Sequence, residues 1–147
     1  MPRVATFVLD TNAWLDLLVF GDTALSGFTD SVVAGEVRVV IDGRAFAELE
    51  RVLRYDTVRI DEATAASCVA TVRALAQSIP VPAMALPKCR DPDDQMFLEI
   101  AVCSNADALL TRDAELLRMA RRMARDHGLA IVAPAAWRDV VAQMSKR

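Results

Sequence analysis

The sequence predicts an α/β fold, a three-layer α/β/α sandwich around a central, mainly parallel sheet, and three observations carry that reading. Short apolar or β-branched runs alternate with longer stretches of helical periodicity along the 147 residues, the rhythm of strands joined by helices on both faces. The first run, Val4-Ala5-Thr6-Phe7-Val8-Leu9, is almost wholly apolar, as a strand covered on both sides requires. It ends at Asp10-Thr11-Asn12, and three more acids, Glu48, Asp94 and Asp113, stand at comparable junctions. Ligands of parallel sheets collect beyond the carboxyl ends of the strands, so these acids occupy the edge where a site is expected.

Taken in order, residues 13–19 predict a short helix and residues 23–35 a second, closed by Gly35. The β-branched run 37–41 is the second strand. Residues 45–54 place Phe46, Leu49, Val52 and Leu53 at helical spacing, and residues 61–78 form another amphipathic helix with Asp61 as N-cap. Residues 80–87 hold three prolines and are expected to be a connector with a short extended piece and no helix. A helix over 93–104, a strand over 108–111, a helix over 114–126 and a strand over 130–132 follow. Pro134 opens the closing helix, where its missing N–H is harmless.

A chain of 147 residues is expected to form one domain, spanning 1–147, with a core of its own. Its 54% hydrophobic and 25% charged residues exclude a disordered protein. A net charge of -3 gives no global pull toward nucleic acid, so such binding would need a local patch. Cys68, Cys89 and Cys103 neither pair evenly nor follow zinc-ligand spacing; Cys103 falls in a helical apolar pattern and is expected in the core. With no signal-peptide pattern and no apolar run of membrane-crossing length, a cytoplasmic protein is expected. The one histidine, His127, precedes Gly128 at an expected helix end and suits a cap better than a catalytic base.

Each acid has a plainer explanation when taken singly. Asp94 and Asp113 could cap helices, and Glu48 could be solvated surface. Together at four sheet-edge junctions they point to a cation, because clustered carboxylates repel one another. The runs Val8-Leu9-Asp10-Thr11-Asn12, Ala47-Glu48-Leu49, Arg90-Asp91-Pro92-Asp93-Asp94 and Ala106-Asp107-Ala108-Leu109-Leu110-Thr111-Arg112-Asp113 resemble the PIN domain. More closely they resemble its branch of toxin components of toxin–antitoxin systems, the VapC-like ribonucleases. The likeness runs from the first strand to the Pro134 helix.

That resemblance implies a metal-dependent endoribonuclease using Mg²⁺ or Mn²⁺, with Asp10, Glu48, Asp94 and Asp113 as the acidic quartet and Asp10, Asp94 and Asp113 as metal ligands. Asn12 matches a residue supporting the first acid, and Thr111 matches the hydroxyl residue ahead of the last. Asp91 and Asp93 flank the third acid; Asp94 is favoured because it stands nearest the apolar pattern starting at Met96-Phe97. Hard cations prefer carboxylate oxygens and water and need no histidine or thiol. A coordinated water is then the expected nucleophile on phosphorus, leaving 3′-hydroxyl and 5′-phosphate ends.

Candidates for holding RNA are Arg44, Arg51 and Arg54 around Glu48, Lys88 and Arg90 before the third acid, and Arg112 beside the last. The run Arg118, Arg121, Arg122 and Arg125 reads as a solvated helix face before an RNA track. Surplus apolar surface in residues 14–20 is a candidate dimer or antitoxin face, since toxin relatives dimerise and are blocked by a small antitoxin. Trp137 is expected to be a packing anchor. Two other classes compete: a PIN-like module that binds RNA or protein without cutting, and a phosphotransfer enzyme with Asp10 as nucleophile. The second is disfavoured by Asn12, where that chemistry wants another acid.

Overall fold

The computed structural model describes residues 4–144. Five strands, β1 (Ala5–Leu9), β2 (Val37–Ile41), β3 (Ala76–Ser78), β4 (Ala108–Leu110) and β5 (Ala130–Val132), form one parallel sheet in the order β3-β2-β1-β4-β5. Every residue of β1 and β4 is buried, which is why these strands are apolar without alternation. The helices are α1 (Thr11–Leu18), α2 (Phe28–Val33), α3 (Gly43–Val52), α4 (Glu62–Leu75), α5 (Gln95–Cys103), α6 (Ala114–Leu117), α7 (Ala120–His127) and α8 (Trp137–Met144). One layer has α5 across β1, β2 and β4, with α3 between α5 and α1; the other has α2 and α8 on the sheet and α4 against α2. Together they give the expected three-layer sandwich.

Phe7 of β1 meets Phe28 edge-on at 5.6 Å, and Phe28 meets Trp137 edge-on at 5.2 Å. Each such pair adds about 0.5–1.5 kcal/mol beyond its buried area, so Trp137 is the packing anchor expected of it. Among the described residues no helix is long and apolar enough to cross a membrane.

Three expected helices are corrected. The stretch 23–35 breaks at Gly27, whose φ of +82° is left-handed and cannot continue a right-handed helix. A 3₁₀ turn, Thr23–Leu25, precedes the break and α2 follows it. A Cβ at Gly27 would also lie 2.6 Å from Arg138 Nη2, which donates to the Ser26 carbonyl. The helix expected over 61–78 stops at Leu75, and its last three residues become β3, pairing with β2 from Val39↔Ala76 to Ile41↔Ser78. An open edge of β2 offers backbone donors and acceptors that Ala76, Gln77 and Ser78 satisfy better than one more helical turn. The sheet strand thus precedes the proline connector instead of lying in it. Finally, 114–126 divides at Arg118–Met119, where Met119 N–H bonds the Leu116 carbonyl at 3.0 Å and tightens the turn. Cys103 is exposed at the end of α5, not in the core.

Candidate active site

Strand order reverses between β1 and β4: the chain moves outward from β1 to β2 and β3, then returns to the far side of β1 for β4 and β5. Crevices at such switch points are where open parallel sheets bind ligands. Asp10 follows β1 and Asp113 follows β4, and the strand ends are joined by Asp10 N–H to the Leu110 carbonyl at 3.3 Å. Around them is a cleft of about 490 Å³, lined by Asp10, Glu48, Asp91, Asp93, Asp94 and Asp113 among its polar residues.

Asp10 is 5% exposed and caps α1, accepting from Ala13 N–H through Oδ1 at 2.8 Å. Its Oδ2 accepts from the Thr111 hydroxyl at 2.5 Å. Thr111, fully buried, accepts in turn from Asp113 N–H at 2.9 Å. One hydroxyl therefore ties the two acids across the β1–β4 seam. Burial pushes the Asp10 carboxyl up; the Thr111 and Ala13 hydrogen bonds oppose this, and Asp113 and Asp16 reinforce it. Asp113 caps α6, with Oδ1 accepting from Glu115 N–H (2.8 Å) and Leu116 N–H (3.3 Å). Its structural role as a cap and its place in the cleft coexist.

Glu48 reaches the cleft from the second turn of α3, and its Oε2 accepts from the Thr11 hydroxyl at 2.5 Å. Thr11 was not singled out in the sequence. Its one signal was adjacency to Asp10, and the bond depends on α1 packing against α3. A nearer acid, Asp42, follows β2 directly, yet it is a buried cap for α3, bonding Ala45 N–H (2.9 Å) and Arg44 (2.8 Å).

The third junction acid stands in the 3₁₀ turn Pro92–Asp94. Asp91 spends its Oδ1 on Asp93 N–H at 2.9 Å, and Asp93 is exposed. Asp94 makes no cap, and its Oδ2 is buried without a hydrogen-bond donor. Burial first, then Asp113, Asp91 and Asp10, push its carboxyl up to about 7. Gln95, another residue the sequence reading passed over, fixes this segment: Oε1 accepts from Cys89 N–H (2.6 Å) and Nε2 donates to the Pro87 carbonyl (3.1 Å). It clamps the proline connector to the start of α5.

Asp10, Glu48, Asp94 and Asp113 are thus brought to one cleft, with Thr111 and Asp91 beside them. Asn12 lies exposed on the cleft wall, while Ala13 N–H and Thr111 hold the Asp10 carboxylate. The all-oxygen donor set suits a hard cation, and a buried carboxylate oxygen lacking a donor needs either a proton or a cation. Among the described residues no three His, Cys, Asp or Glu side chains form a ready cage. Mg²⁺ takes only one or two carboxylates and keeps several waters, so the chemistry of the acids lining the cleft is compatible with it.

The arginines are mostly committed elsewhere. Arg44 bridges Asp42 and Glu99 at 2.8 Å each, Arg54 pairs with Glu62 at 2.9 Å, and Arg112 spans Asp16 (2.7 Å) and Asp22 (2.5 Å). Arg51 donates to the Tyr55 hydroxyl at 3.3 Å and lies 3.9 Å from Glu48. Lys88 and Arg90 are exposed. On α6 and α7, Arg118 pairs with Glu115, and Arg122 and Arg125 with Asp126, the solvated face expected of them.

A search among curated proteins finds no match to the chain. A family model described as PIN domain matches residues 6–115, from the second residue of β1 to the residue two past Asp113. That span includes all four junction acids and both threonines bound to them, in a fold generally used by nucleases. The chain belongs to the PIN-domain family.

Proposed function

We propose that the chain is a metal-dependent endoribonuclease that hydrolyses RNA phosphodiester bonds with Mg²⁺ or Mn²⁺. The observation that carries this reading is the buried, donorless Oδ2 of Asp94 in a cleft shared with Asp10, Glu48 and Asp113. Asp10, Asp94 and Asp113 would hold the cation, which when bound polarises a phosphoryl oxygen and acidifies a coordinated water. The Asp94 carboxyl, pushed up to about 7 by burial, Asp113, Asp91 and Asp10, is the acid in the cleft able to exchange a proton near neutral pH. Thr111 keeps Asp10 and Asp113 in register, and Thr11 keeps Glu48 turned into the cleft. The four acids exclude stray anions, so the phosphate approaches only with its cation.

The same reading makes the protein a cytoplasmic toxin of a toxin–antitoxin pair, dimeric and blocked by a small antitoxin protein. The part-buried Leu17, Leu18 and Val19 of the α1 region are the proposed contact surface. Incubation with mixed RNAs in Mg²⁺, Mn²⁺ and EDTA tests the activity. Cleavage requiring the metal and abolished in Asp10→Asn supports it; equal cleavage by Asp10→Asn, or none by wild type in either metal, removes it and leaves a binding module.

A further inference from the structure

The acid cleft has a second, apolar end. Leu15, Phe20, Val52, Tyr55 and Val58 line it together with the acids. Among the two Trp, one Tyr and five Phe of the chain, only Phe20, at 58%, and Tyr55, at 48%, are exposed. Both open onto this one cleft. An exposed aromatic ring is unfavourable in water, and two of them in one cleft form a surface that a ligand with flat apolar faces would cover.

Each ring is held in place. Phe20 follows α1, a helix about 12 Å long that Asp10 caps at its other end. Its loop is fixed by Asp22 N–H to the Asp16 carbonyl at 3.0 Å and by Arg112, which grips both Asp16 and Asp22. Tyr55 follows α3, which carries Glu48, and its hydroxyl accepts from Arg51. The phosphate-binding alternative is weak, because Arg44, Arg51, Arg54 and Arg112 already face the chain's own acids or Tyr55. Among the described residues Lys88 and Arg90 enter no ion pair, nor does the exposed Arg59 beside Val58 of the cleft, which leaves three cations for phosphates near the site.

We infer that Phe20 and Tyr55 are stacking platforms for unpaired bases flanking the acid cluster, so that the RNA is gripped by its bases more than by its charge. This rests on the ribonuclease reading above. Duplex RNA hides its base faces in its own stack and offers these rings nothing, whereas every unpaired base has a face to stack, whatever its sequence.

The test measures binding of a short fluorescein-labelled single-stranded RNA in Mg²⁺ on the Asp10→Asn background. Phe20→Ala and Tyr55→Ala should each weaken binding about 5- to 100-fold. Tyr55→Phe should recover what Tyr55→Ala loses, since the ring and not its hydroxyl stacks. Val33→Ala, at an exposed apolar site outside the cleft, should change nothing. Abasic linkers in the probe should erase the difference between the aromatic and alanine proteins. The salt dependence should be shallow, with a log–log slope no steeper than about -2 for three phosphate contacts on a single strand. Equal binding by wild-type and alanine proteins, or a preference for duplex, overturns the inference. So does unchanged RNA binding with an altered oligomeric state, which would assign the rings to a protein contact. Stacking effects without metal-dependent cutting by the otherwise unaltered chain would sink the nuclease reading alone; metal-dependent cutting unaffected by either alanine would sink the stacking alone.

Discussion

Replacing Asp94 by Asn in a metal-free, chelated buffer should raise the melting temperature at pH 8, although the change removes a residue of the candidate active site. The Asp94 carboxyl is held up at about 7 by burial, then by Asp113, Asp91 and Asp10. Between its unfolded value of about 4 and that folded value, the folded chain binds more protons than the unfolded one. Stability contributed by this group is therefore complete below pH ~4 and is lost as pH rises through 7. The ceiling on that loss is ~4 kcal/mol. Asp94 is only part-buried, so solvent screening leaves ~1–2 kcal/mol. For a chain of this length that is about 2–8 °C. Asparagine carries no charge at any pH and escapes the penalty.

The assay is thermal melting in EDTA at pH 5, 6.5 and 8. Wild type should melt lower as pH rises across this range, with Asp10 adding to the slope because burial raises its carboxyl too. Asp94→Asn should lie closest to wild type at pH 5, exceed it most at pH 8 and show a flatter profile. Saturating Mg²⁺ or Mn²⁺ should reverse the order, since a ligand at 100 times its Kd adds about 2.7 kcal/mol to the protein that binds it. A lower melting temperature for Asp94→Asn at pH 8 in EDTA, or an unchanged slope, would refute the crowding of charge on which the argument depends.

Thr111→Val should destabilise by about 2–4 kcal/mol, because it leaves the buried Asp10 Oδ2 and Asp113 N–H unpartnered; Thr111→Ser should recover most of this in the same denaturant titration. Asp10→Ala should lose about 1–2 kcal/mol through the α1 cap while Asp10→Asn keeps it, and both should be inactive on RNA. Equal melting of the two would mean that the cap contributes nothing. Gln95→Ala should free the connector from α5 at about 1–3 kcal/mol, seen as faster proteolysis within residues 79–90; an unchanged digestion pattern would place the clamp elsewhere. Arg112→Ala breaks two exposed ion pairs and should change stability by less than ~1 kcal/mol.

The positions of Asp10 and Asp113 were legible because each closes a run that is apolar on both strand faces, and such runs specify both a buried strand and the edge where it ends. The bond from Thr111 to Asp10 was not, since it spans 101 residues and depends on the register Leu9↔Leu110, which neither strand encodes alone. β3 was hidden for a related reason. Ala76-Gln77-Ser78 has no β-branched residue and continues a helical pattern, and only the unpaired edge of β2 draws it into the sheet. Gly27 did carry a signal, as a glycine inside an expected helix. Cys103 misled because helical periodicity places a residue on a face but does not say whether the neighbouring layer extends that far.

The two threonines explain why the four acids are not equivalent. Thr111 and Thr11 each give a hydroxyl proton to one acid, Asp10 and Glu48, and two backbone N–H groups hold Asp113. These donors favour the ionised form of what they touch and fix its direction. The Asp94 Oδ2 receives none, so nothing offsets the burial and the neighbouring Asp113, Asp91 and Asp10 charges that push its carboxyl up to about 7. A cleft with every acid satisfied could still ligate a cation, since hydrogen-bonded carboxylates do so, but none of its oxygens would gain a missing partner from it. One with every acid unsatisfied would hold protons on several of them and lose its shape. On the proposed reading, a single buried oxygen without a donor is the point at which the cleft would respond to an incoming positive charge, while hydrogen bonds hold the other three carboxylates.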